Sequence, residues 1–261
     1  MPETVRYTVD GSVASITLNR PESRNSLNVA AKTELLAAVG RAADDEQIRA
    51  VILTGQGRAF CSGQDLREHA EGLAAGGDPL DTVREHYNPL IKAITTMPKP
   101  VVAAVNGVAA GAGASLALAC DFRVAARSAS LLMAFARVGL GPDSGSSWTL
   151  QRLAGPARAA ELLMLAEPID AAQAAGYGLF NRVVADEELA AEAGALAARL
   201  AAGPTAAYAA IKEALSFAAM HTLAQSLEKE AELQAWLGKT ADHRAATEAF
   251  VNKRQPVYQG R

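Results

Sequence analysis

Apolar positions along the first half of the chain change between two spacings. Alternation on both sides of Asp10-Gly11 predicts a hairpin, and short β-branched runs bounded by glycine predict buried strands. Apolar positions three and four residues apart predict helices in between. The predicted elements are strands at 4–10, 12–19, 50–57, 101–107 and 122–126, and helices at 27–46, 67–95 (interrupted at AAGGDP) and 111–120.

Beyond residue 150 the pattern is mostly helical. Asp170 and Gln173 have the spacing of a capping box, and 182–186 predicts one short strand. Three helices are predicted after Gly203, at 204–219, 222–237 and 240–253. Because buried strands alternate with helices in the first part, we predict an α/β fold. We divide it into a core domain at 1–200 and a helical region at 201–261.

Composition excludes several functional classes. The chain has 261 residues and a formal net charge of −3, which does not favour nucleic-acid binding. Its two cysteines form no zinc motif and no disulfide framework. The uncharged stretch 100–120 is broken by glycines and predicts strand, turn and helix, not a membrane span. The N-terminal segment has no apolar signal-peptide core, so we expect a cytoplasmic protein.

Three glycine-rich joints follow predicted strands, at 57–66, 106–115 and 138–148. Such strand ends are where α/β proteins bind ligands, and backbone N–H groups there suit a developing negative charge. The joints match neither a P-loop, a dinucleotide fingerprint nor a nucleophile elbow. Gly111 and Gly113 are equally consistent with close helix packing and with a role in binding an oxyanion.

The third joint, VGLGPDSGSSW, contains a single acid, Asp143. An Asp between Pro and Ser-Gly is typical of a turn or of the first residues of a helix. The alternative is a catalytic acid or base in apolar surroundings. The local pattern favours the turn or cap.

Four segments in order resemble the crotonase, or enoyl-CoA hydratase/isomerase, superfamily: LNRPESRNSLN, GRAFCSGQDL, PKPVVAAVNGVAAGAGASLALACDFRVAA and VGLGPDSGSSWTLQRLAG. The resemblance covers nearly the whole chain. It implies a spiral of ββα units with a C-terminal helical region that forms trimers or dimers of trimers. It also implies an acyl-CoA thioester as substrate, with no metal and no cofactor other than the coenzyme A that the substrate carries.

The resemblance places an oxyanion hole at the backbone N–H groups of Ser62 and Ala112. These groups would stabilise an enolate of the thioester. The resemblance further assigns a set of residues to contact with coenzyme A, Lys253 being expected to reach it from its own or a neighbouring subunit. This set is Arg24, Ser26, Gly63, Gln64, Asp65 and Lys253.

The two glutamates that hydratases of this family use correspond to Ser115 and Phe135, neither of which can transfer a proton as a carboxylate does. This departure disfavours hydration. Asp143 corresponds to the acid of members that move double bonds, and its joint is most similar to members that isomerise the ring epoxide of phenylacetyl-CoA. With the resemblance added, we favour Asp143 as the catalytic acid/base. The acyl pocket is expected to include Ser115, Phe135, Leu140 and Trp148.

Two other functions stay open at this point. In aryl-CoA dehalogenases of the superfamily an aspartate attacks the ring and a histidine activates water, but that histidine position corresponds to Lys92, with His86 nearby. A non-catalytic scaffold or an RNA-binding protein of the same fold is disfavoured by the acidic net charge. We expect His69, His221 and His243 to be solvated, and Cys61 to be a packing residue.

Overall fold

Ten strands and ten α-helices build residues 3–261, the part of the chain that the computed structural model describes. The strands are β1 (Val5–Asp10), β2 (Val13–Leu18), β3 (Ala50–Gly55), β4 (Ala59–Cys61), β5 (Val101–Val105), β6 (Val108–Ala110), β7 (Phe122–Ala126), β8 (Ser130–Leu132), β9 (Ile169–Asp170) and β10 (Arg182–Val184). The helices are α1 (Val29–Asp44), α2 (Leu66–Ala74), α3 (Asn88–Thr96), α4 (Ala112–Ala119), α5 (Ser146–Leu165), α6 (Ala171–Gly176), α7 (Leu189–Ala201), α8 (Thr205–Ala218), α9 (Leu223–Leu237) and α10 (Ala241–Val251).

The strands form two sheets with a repeating connection. A six-stranded sheet has the order β1-β2-β3-β5-β7-β10, and a four-stranded sheet has the order β4-β6-β8-β9. Each of β3, β5 and β7 is followed at once by a short strand in the second sheet and then by a helix, and the successive strands pair in parallel. The predicted α/β spiral of ββα units is therefore confirmed.

The central strands are apolar on both faces because both faces are covered. All five residues of β5 are buried, and so are all eight of α4, which explains the uncharged stretch that contains them. Strands β4 and β6 lie inside the first two glycine-rich joints, and β8 lies where no element is predicted. Three residues are too few to show an alternating pattern, so pairing with neighbours decides their structure.

The segment predicted as a helix at 67–95 is more irregular than expected. Helix α2 ends where AAGGDP begins, and a 3-10 turn at Pro79–Asp81 and a π-helical turn at Val83–Tyr87 precede α3. The capping box of Asp170 and Gln173 is present at the start of α6. Pro204 lies one residue before α8, not in its first turn.

The C-terminal helices are attached to the core by polar contacts. The guanidinium of Arg49, next to β3, donates to Thr205 Oγ1 (2.9 Å) and to the carbonyls of Gly203 and Tyr258. Lys212 of α8 forms an ion pair with Asp121 at 2.8 Å.

The division at residue 200 falls inside α7 and stays a prediction, and residues 1–2 of the predicted core domain lie outside the described residues. Within residues 3–261, every helix is too short or too polar to cross a membrane.

Candidate active site

The three glycine-rich joints meet around one pocket of about 540 Å³. Two of its walls are the joint after β4 and the start of α4, and Asp143 lies on a third. The remaining wall comes from the irregular segment between α2 and α3. The lining residues are Ser62, Gly63, Gln64, Leu66, His69, Leu73, Asp78, Leu80, Thr82, Val83, Tyr87, Gly111, Ala112, Ala134, Phe135, Val138, Leu140 and Asp143.

Two glycines allow the first two joints to approach each other. A Cβ on Gly63, whose φ is +87°, would lie 2.7 Å from the carbonyl oxygen of Ala110. A Cβ on Gly113 would lie 2.2 Å from the carbonyl oxygen of Cys61. Both distances are far below a normal contact, so neither position accepts a side chain without movement of the backbone. The packing interpretation of Gly113 is thereby supported, and it brings the N-terminus of α4 against the joint of Ser62.

The two predicted oxyanion donors differ in their hydrogen bonding. Ala112 is the first residue of α4, where a backbone N–H has no acceptor within the helix, and no acceptor contacts it within residues 3–261. The N–H of Ser62 instead donates to the carbonyl oxygen of Arg24 at 3.1 Å. Ala112 therefore offers an open donor next to the pocket, whereas Ser62 has to share or exchange its partner to bind a ligand.

Asp143 does not cap the helix that follows it. Helix α5 begins at Ser146 with Gly145 as its N-cap, and no side chain caps it. The carboxylate accepts one hydrogen bond, from Ser144 Oγ to Oδ1 at 2.8 Å. Within residues 3–261, no donor contacts the other carboxylate oxygen, Oδ2. This oxygen is not enclosed by protein atoms, so it is open to the pocket that Asp143 lines. The side chain therefore does not cap α5, whereas the backbone of Asp143 does begin a turn, because its carbonyl oxygen accepts from the N–H of Ser146 at 3.0 Å.

Burial controls the protonation of this carboxylate. Desolvation raises the pKa of Asp143 above its ordinary value, and the hydrogen bond from Ser144 partly opposes that rise. Apolar side chains of Phe135, Val138 and Leu140 line the same pocket. The other acid in the lining, Asp78, is exposed and caps the turn at Leu80 (3.0 Å). Asp143 is thus the pocket carboxylate whose environment resembles that of a catalytic acid/base.

Two residues expected in the acyl pocket are not in its lining. Ser115 is 2% exposed, and its hydroxyl lies 2.6 Å from Ser146 Oγ, which in turn donates to the carbonyl oxygen of Asp143 at 2.7 Å. Because Ser115 is on the inner side of α4, it supports the Asp143 turn from behind. Trp148 is on the outside of α5, where Arg152 covers its ring at 3.9 Å. Phe135 and Leu140 line the pocket, and their contact with an acyl group stays a prediction.

Two residues expected to contact coenzyme A are occupied with structural partners. Asp65 forms an ion pair with Arg20 (2.9 Å), accepts from Ser26 Oγ (3.1 Å) and caps α2 through the N–H groups of Arg67 and Glu68. These hydrogen bonds lower the pKa of Asp65 despite its burial. Neither Ser26 nor Asp65 lines the pocket, because both side chains point into the junction between the chain before α1 and the start of α2.

The other residues assigned to coenzyme A are distributed between the pocket and the surface. Gly63 and Gln64 line the pocket. Arg24 is exposed and has a φ of +54°, and its carbonyl is the group that holds Ser62. Lys253 is exposed beyond the end of α10 and is not in the pocket lining. Contacts of Arg24 and Lys253 with coenzyme A stay predictions.

One histidine, His69, does not lie where its charged sequence surroundings predict it. His69 is half-buried in the pocket lining, and its Nδ1 is enclosed without a partner among residues 3–261, so the expectation that it is solvated is wrong. His86 lies 3.1 Å from Thr82 Oγ1 and lines a smaller side pocket. Lys92 is exposed on α3.

Cys61 is fully buried, and burial raises the pKa of its thiol to about 12, as suits a packing residue.

A buried lysine next to the pocket had no signal in the sequence. Lys32 on α1 is 1% exposed, and its ammonium donates to Thr82 Oγ1 (2.6 Å) and to Gln64 Oε1 (3.3 Å). Tyr87 also donates to Gln64 Oε1. Burial lowers the pKa of Lys32, and the charges of Glu68 and Asp65 partly restore it. Helical spacing predicts that Lys32 lies on α1, but it cannot show that its partners are 32 and 50 residues further along the chain.

Comparison with known proteins agrees with this fold and pocket. Residues 8–261 match the model of the enoyl-CoA hydratase/isomerase family, and the chain belongs to that family. It is therefore an enzyme of a family that acts on acyl-CoA thioesters.

Three relatives illustrate the range of this similarity. A protein of Rhodobacter capsulatus described as a probable enoyl-CoA hydratase is 48% identical, over 99% of this chain and 98% of that one. The 1,2-epoxyphenylacetyl-CoA isomerase of Escherichia coli is 43% identical over the full length of both chains. A crystal structure of a Mycobacterium abscessus protein assigned as an enoyl-CoA hydratase/isomerase is 46% identical, with a TM-score of 0.94 over 98% of this chain and 100% of that one.

Proposed function

We propose that this enzyme isomerises a 3-enoyl-CoA to the 2-enoyl-CoA, with Asp143 as its single acid/base. The carboxylate of Asp143 removes a proton from C2, and the electron pair moves into the thioester to give a dienolate. Protonated Asp143 then returns the proton to C4, so the double bond moves from C3–C4 to C2–C3. No atom is gained or lost, and the reaction needs neither metal nor redox cofactor beyond the coenzyme A of the substrate.

One observation carries this proposal: the carboxylate of Asp143 has an open oxygen in an apolar pocket, and it does not cap α5. A raised pKa suits a group that must both take up and return a proton. The positions corresponding to the two hydratase glutamates are Ser115, directed away from the pocket, and Phe135, which is apolar. Hydration of the double bond therefore lacks its second carboxylate.

The dienolate oxygen would be stabilised at the start of α4. The open N–H of Ala112 and the positive end of the α4 dipole are next to the pocket. The N–H of Ser62 would be the second donor if the thioester oxygen shares it with the Arg24 carbonyl or replaces that carbonyl. A preorganised donor of this kind is worth about 10²–10³ in rate.

The test is the isomerisation of a 3-enoyl-CoA, followed by the ultraviolet absorbance of the conjugated product. Asp143→Asn is expected to lower kcat by about 10²–10⁴-fold, the usual contribution of a general acid/base. Asp78→Asn is the matched control, because it makes the same change on the same pocket and asparagine still caps the turn. Equal loss in both variants, or no loss in Asp143→Asn, would remove Asp143 from the mechanism. Faster hydration of crotonyl-CoA than isomerisation would favour a hydratase.

A second candidate is isomerisation of the ring epoxide of phenylacetyl-CoA to the oxepin. It is favoured by the full-length similarity to the Escherichia coli isomerase and would place the protein in phenylacetate catabolism. The same Asp143 variants assayed with the epoxide, with the product identified by absorbance and mass, decide between the two substrates. Turnover of the epoxide at a higher kcat/KM than the 3-enoyl-CoA would make it the preferred substrate class.

We also propose that the C-terminal helices assemble the chain into a homotrimer or a dimer of trimers. Large apolar side chains are exposed there, among them Leu223 (76%) and Phe250 (84%), and a monomer seldom exposes so many. The others on these helices are Ile211, Leu215, Leu227, Trp236 and Val251, and Met220 is exposed in the connection between α8 and α9. Light scattering after size-exclusion chromatography gives the mass directly.

We place the protein in the reducing cytoplasm, in keeping with its free thiols at Cys61 and Cys120.

A further inference from the structure

The side-chain amide of Gln64 has a fixed orientation. Its Oε1 accepts hydrogen bonds from the ammonium of Lys32 and from the hydroxyl of Tyr87. An ammonium can only donate, so the atom that faces it must be the amide oxygen and not the nitrogen. The donor end, Nε2, is thereby turned away from Lys32 and Tyr87.

That donor end has no partner in the protein. Among residues 3–261, the enclosed side-chain polar atoms that lack a partner are Tyr7 Oη and His69 Nδ1. Gln64 Nε2 makes no hydrogen bond and is not one of them, so it is open to the cavities that Gln64 lines. The amide therefore presents N–H donors to whatever occupies the pocket.

The buried charge of Lys32 strengthens this donor. Lys32 is 1% exposed, and within the described residues its ammonium has no carboxylate at ion-pair distance. A hydrogen bond from a cation to Oε1 polarises the amide and makes its N–H groups better donors. The phenol of Tyr87 acts in the same direction, and burial raises the pKa of this phenol, so that it stays a donor.

A fixed donor is unfavourable in a pocket that holds only hydrocarbon. The walls around Gln64 are otherwise rich in apolar side chains, including Leu66, Val83 and Phe135. An acyl chain without a polar atom would displace water from Nε2 and leave it unpaired, which disfavours binding. An oxygen on the acyl group would restore the lost hydrogen bond.

We propose that Gln64, oriented by Lys32 and Tyr87, selects acyl-CoA substrates whose acyl group carries a hydrogen-bond-accepting oxygen in addition to the thioester carbonyl. The inference rests on the proposed function only in taking the pocket as the site of the acyl group. Gln64 is a specificity-determining residue in this scheme, and Lys32 is the residue that positions it.

The test uses two saturated ligands that cannot be isomerised and differ at one ring position: tetrahydrofuran-2-ylacetyl-CoA, with a ring oxygen, and cyclopentylacetyl-CoA, with a methylene. Their Kd values are measured by titration calorimetry. We expect the wild type to bind the ether about 5–10-fold more tightly, the effect of one net hydrogen bond. In Gln64→Glu, which keeps an oxygen for Lys32 and Tyr87 but replaces the donor by an acceptor, the preference should disappear or reverse.

Two further variants make the test specific. Gln56→Glu introduces the same charge at an exposed position outside the pocket and should keep the wild-type ratio. Lys32→Met leaves Gln64 in place but releases its amide, and the preference should become smaller without reversing. This variant also decides the matter if Gln64→Glu does not fold.

The outcomes separate this inference from the proposed function. Equal affinity of the wild type for both ligands, or an unchanged preference in both Gln64→Glu and Lys32→Met, overturns the role of Gln64. A clear preference in a wild type that does not isomerise any 3-enoyl-CoA supports Gln64 and contradicts the isomerase proposal. Failure to bind either coenzyme A ester overturns both.

Discussion

Asp65 and Asp143 both lie shortly before a helix, but their surroundings shift their pKa values in opposite directions. Asp65 caps α2, pairs with Arg20 and accepts from Ser26, so that its pKa is lowered. Asp143 precedes α5 without capping it and accepts one hydroxyl, so that its pKa is raised by burial. Both sites are shielded from water, and the number of donors decides which form of the acid is favoured.

This difference separates a carboxylate held by structural partners from the one that we propose as the acid/base. The hydrogen bonds of Asp65 stabilise the folded state and leave no lone pair directed to the pocket. The open oxygen of Asp143 leaves the folded state with an unfavourable buried charge, and it is free to meet a substrate proton. The family resemblance had assigned both residues to the site, and their surroundings divide them between the two roles.

The largest effect expected from the comparison is on the pH dependence of activity. If ionised Asp143 is the base, as we propose, kcat/KM should fall about tenfold for each pH unit below its raised pKa. The acid limb should therefore lie above the ordinary aspartate pKa of about 3.9. A pH–rate profile on the 3-enoyl-CoA measures it. A limb at or below the ordinary value would show that Asp143 is not the base or that its carboxylate is well solvated.

The next effect is on stability at Asp65. Asp65→Asn keeps the cap but removes the ion pair with Arg20, and we expect a loss of about 1.5–3 kcal/mol in the free energy of unfolding. The pKa of Asp65 is lowered in the folded state, so its contribution is present above the unfolded pKa and is lost as pH falls through the folded pKa. Urea unfolding of the wild type and variant at neutral and acidic pH measures this. A difference that does not shrink in acid would contradict the assignment.

The same substitution at Asp143 should act in the opposite direction. Its folded pKa is raised, so the ionised carboxylate destabilises the protein at neutral pH, and the penalty is absent below the unfolded pKa. Asp143→Asn should therefore raise Tm by a few degrees at neutral pH. The gain should vanish in acid. Thermal melts at both pH values test it, and a lower Tm at neutral pH would mean that the carboxylate has partners besides Ser144.

The sequence predicted more of the fold than of the site. Strands β3, β5 and β7 and helix α4 have apolar patterns that one strand or helix determines alone, and they lie where predicted. The pocket depends on pairs of residues far apart in the chain. Two examples are the hydrogen bond from the N–H of Ser62 to the carbonyl of Arg24 and the one from the ammonium of Lys32 to Gln64. Sequence spacing predicts neither of them, because only tertiary packing brings the partners together.

The smallest expected effect concerns Ser115, which corresponds to a hydratase glutamate and here supports the turn of Asp143. Its single hydroxyl proton has two acceptors in reach, the carbonyl oxygen of Gly111 at 3.1 Å and Ser146 Oγ at 2.6 Å, and Ser146 Oγ donates to the carbonyl oxygen of Asp143. Ser115→Ala removes both contacts of this hydroxyl and leaves the bond from Ser146 to Asp143, so we expect kcat to fall about 2–10-fold with little change in KM. Because the carboxylate itself loses no partner, the acid limb of the pH–rate profile should stay in place.

Ser144→Ala is the contrasting variant: it removes the hydrogen bond to Asp143 Oδ1 and should move the limb to higher pH. If Ser115→Ala moved the limb as well, Ser115 would act on the charge of Asp143 and not on its position.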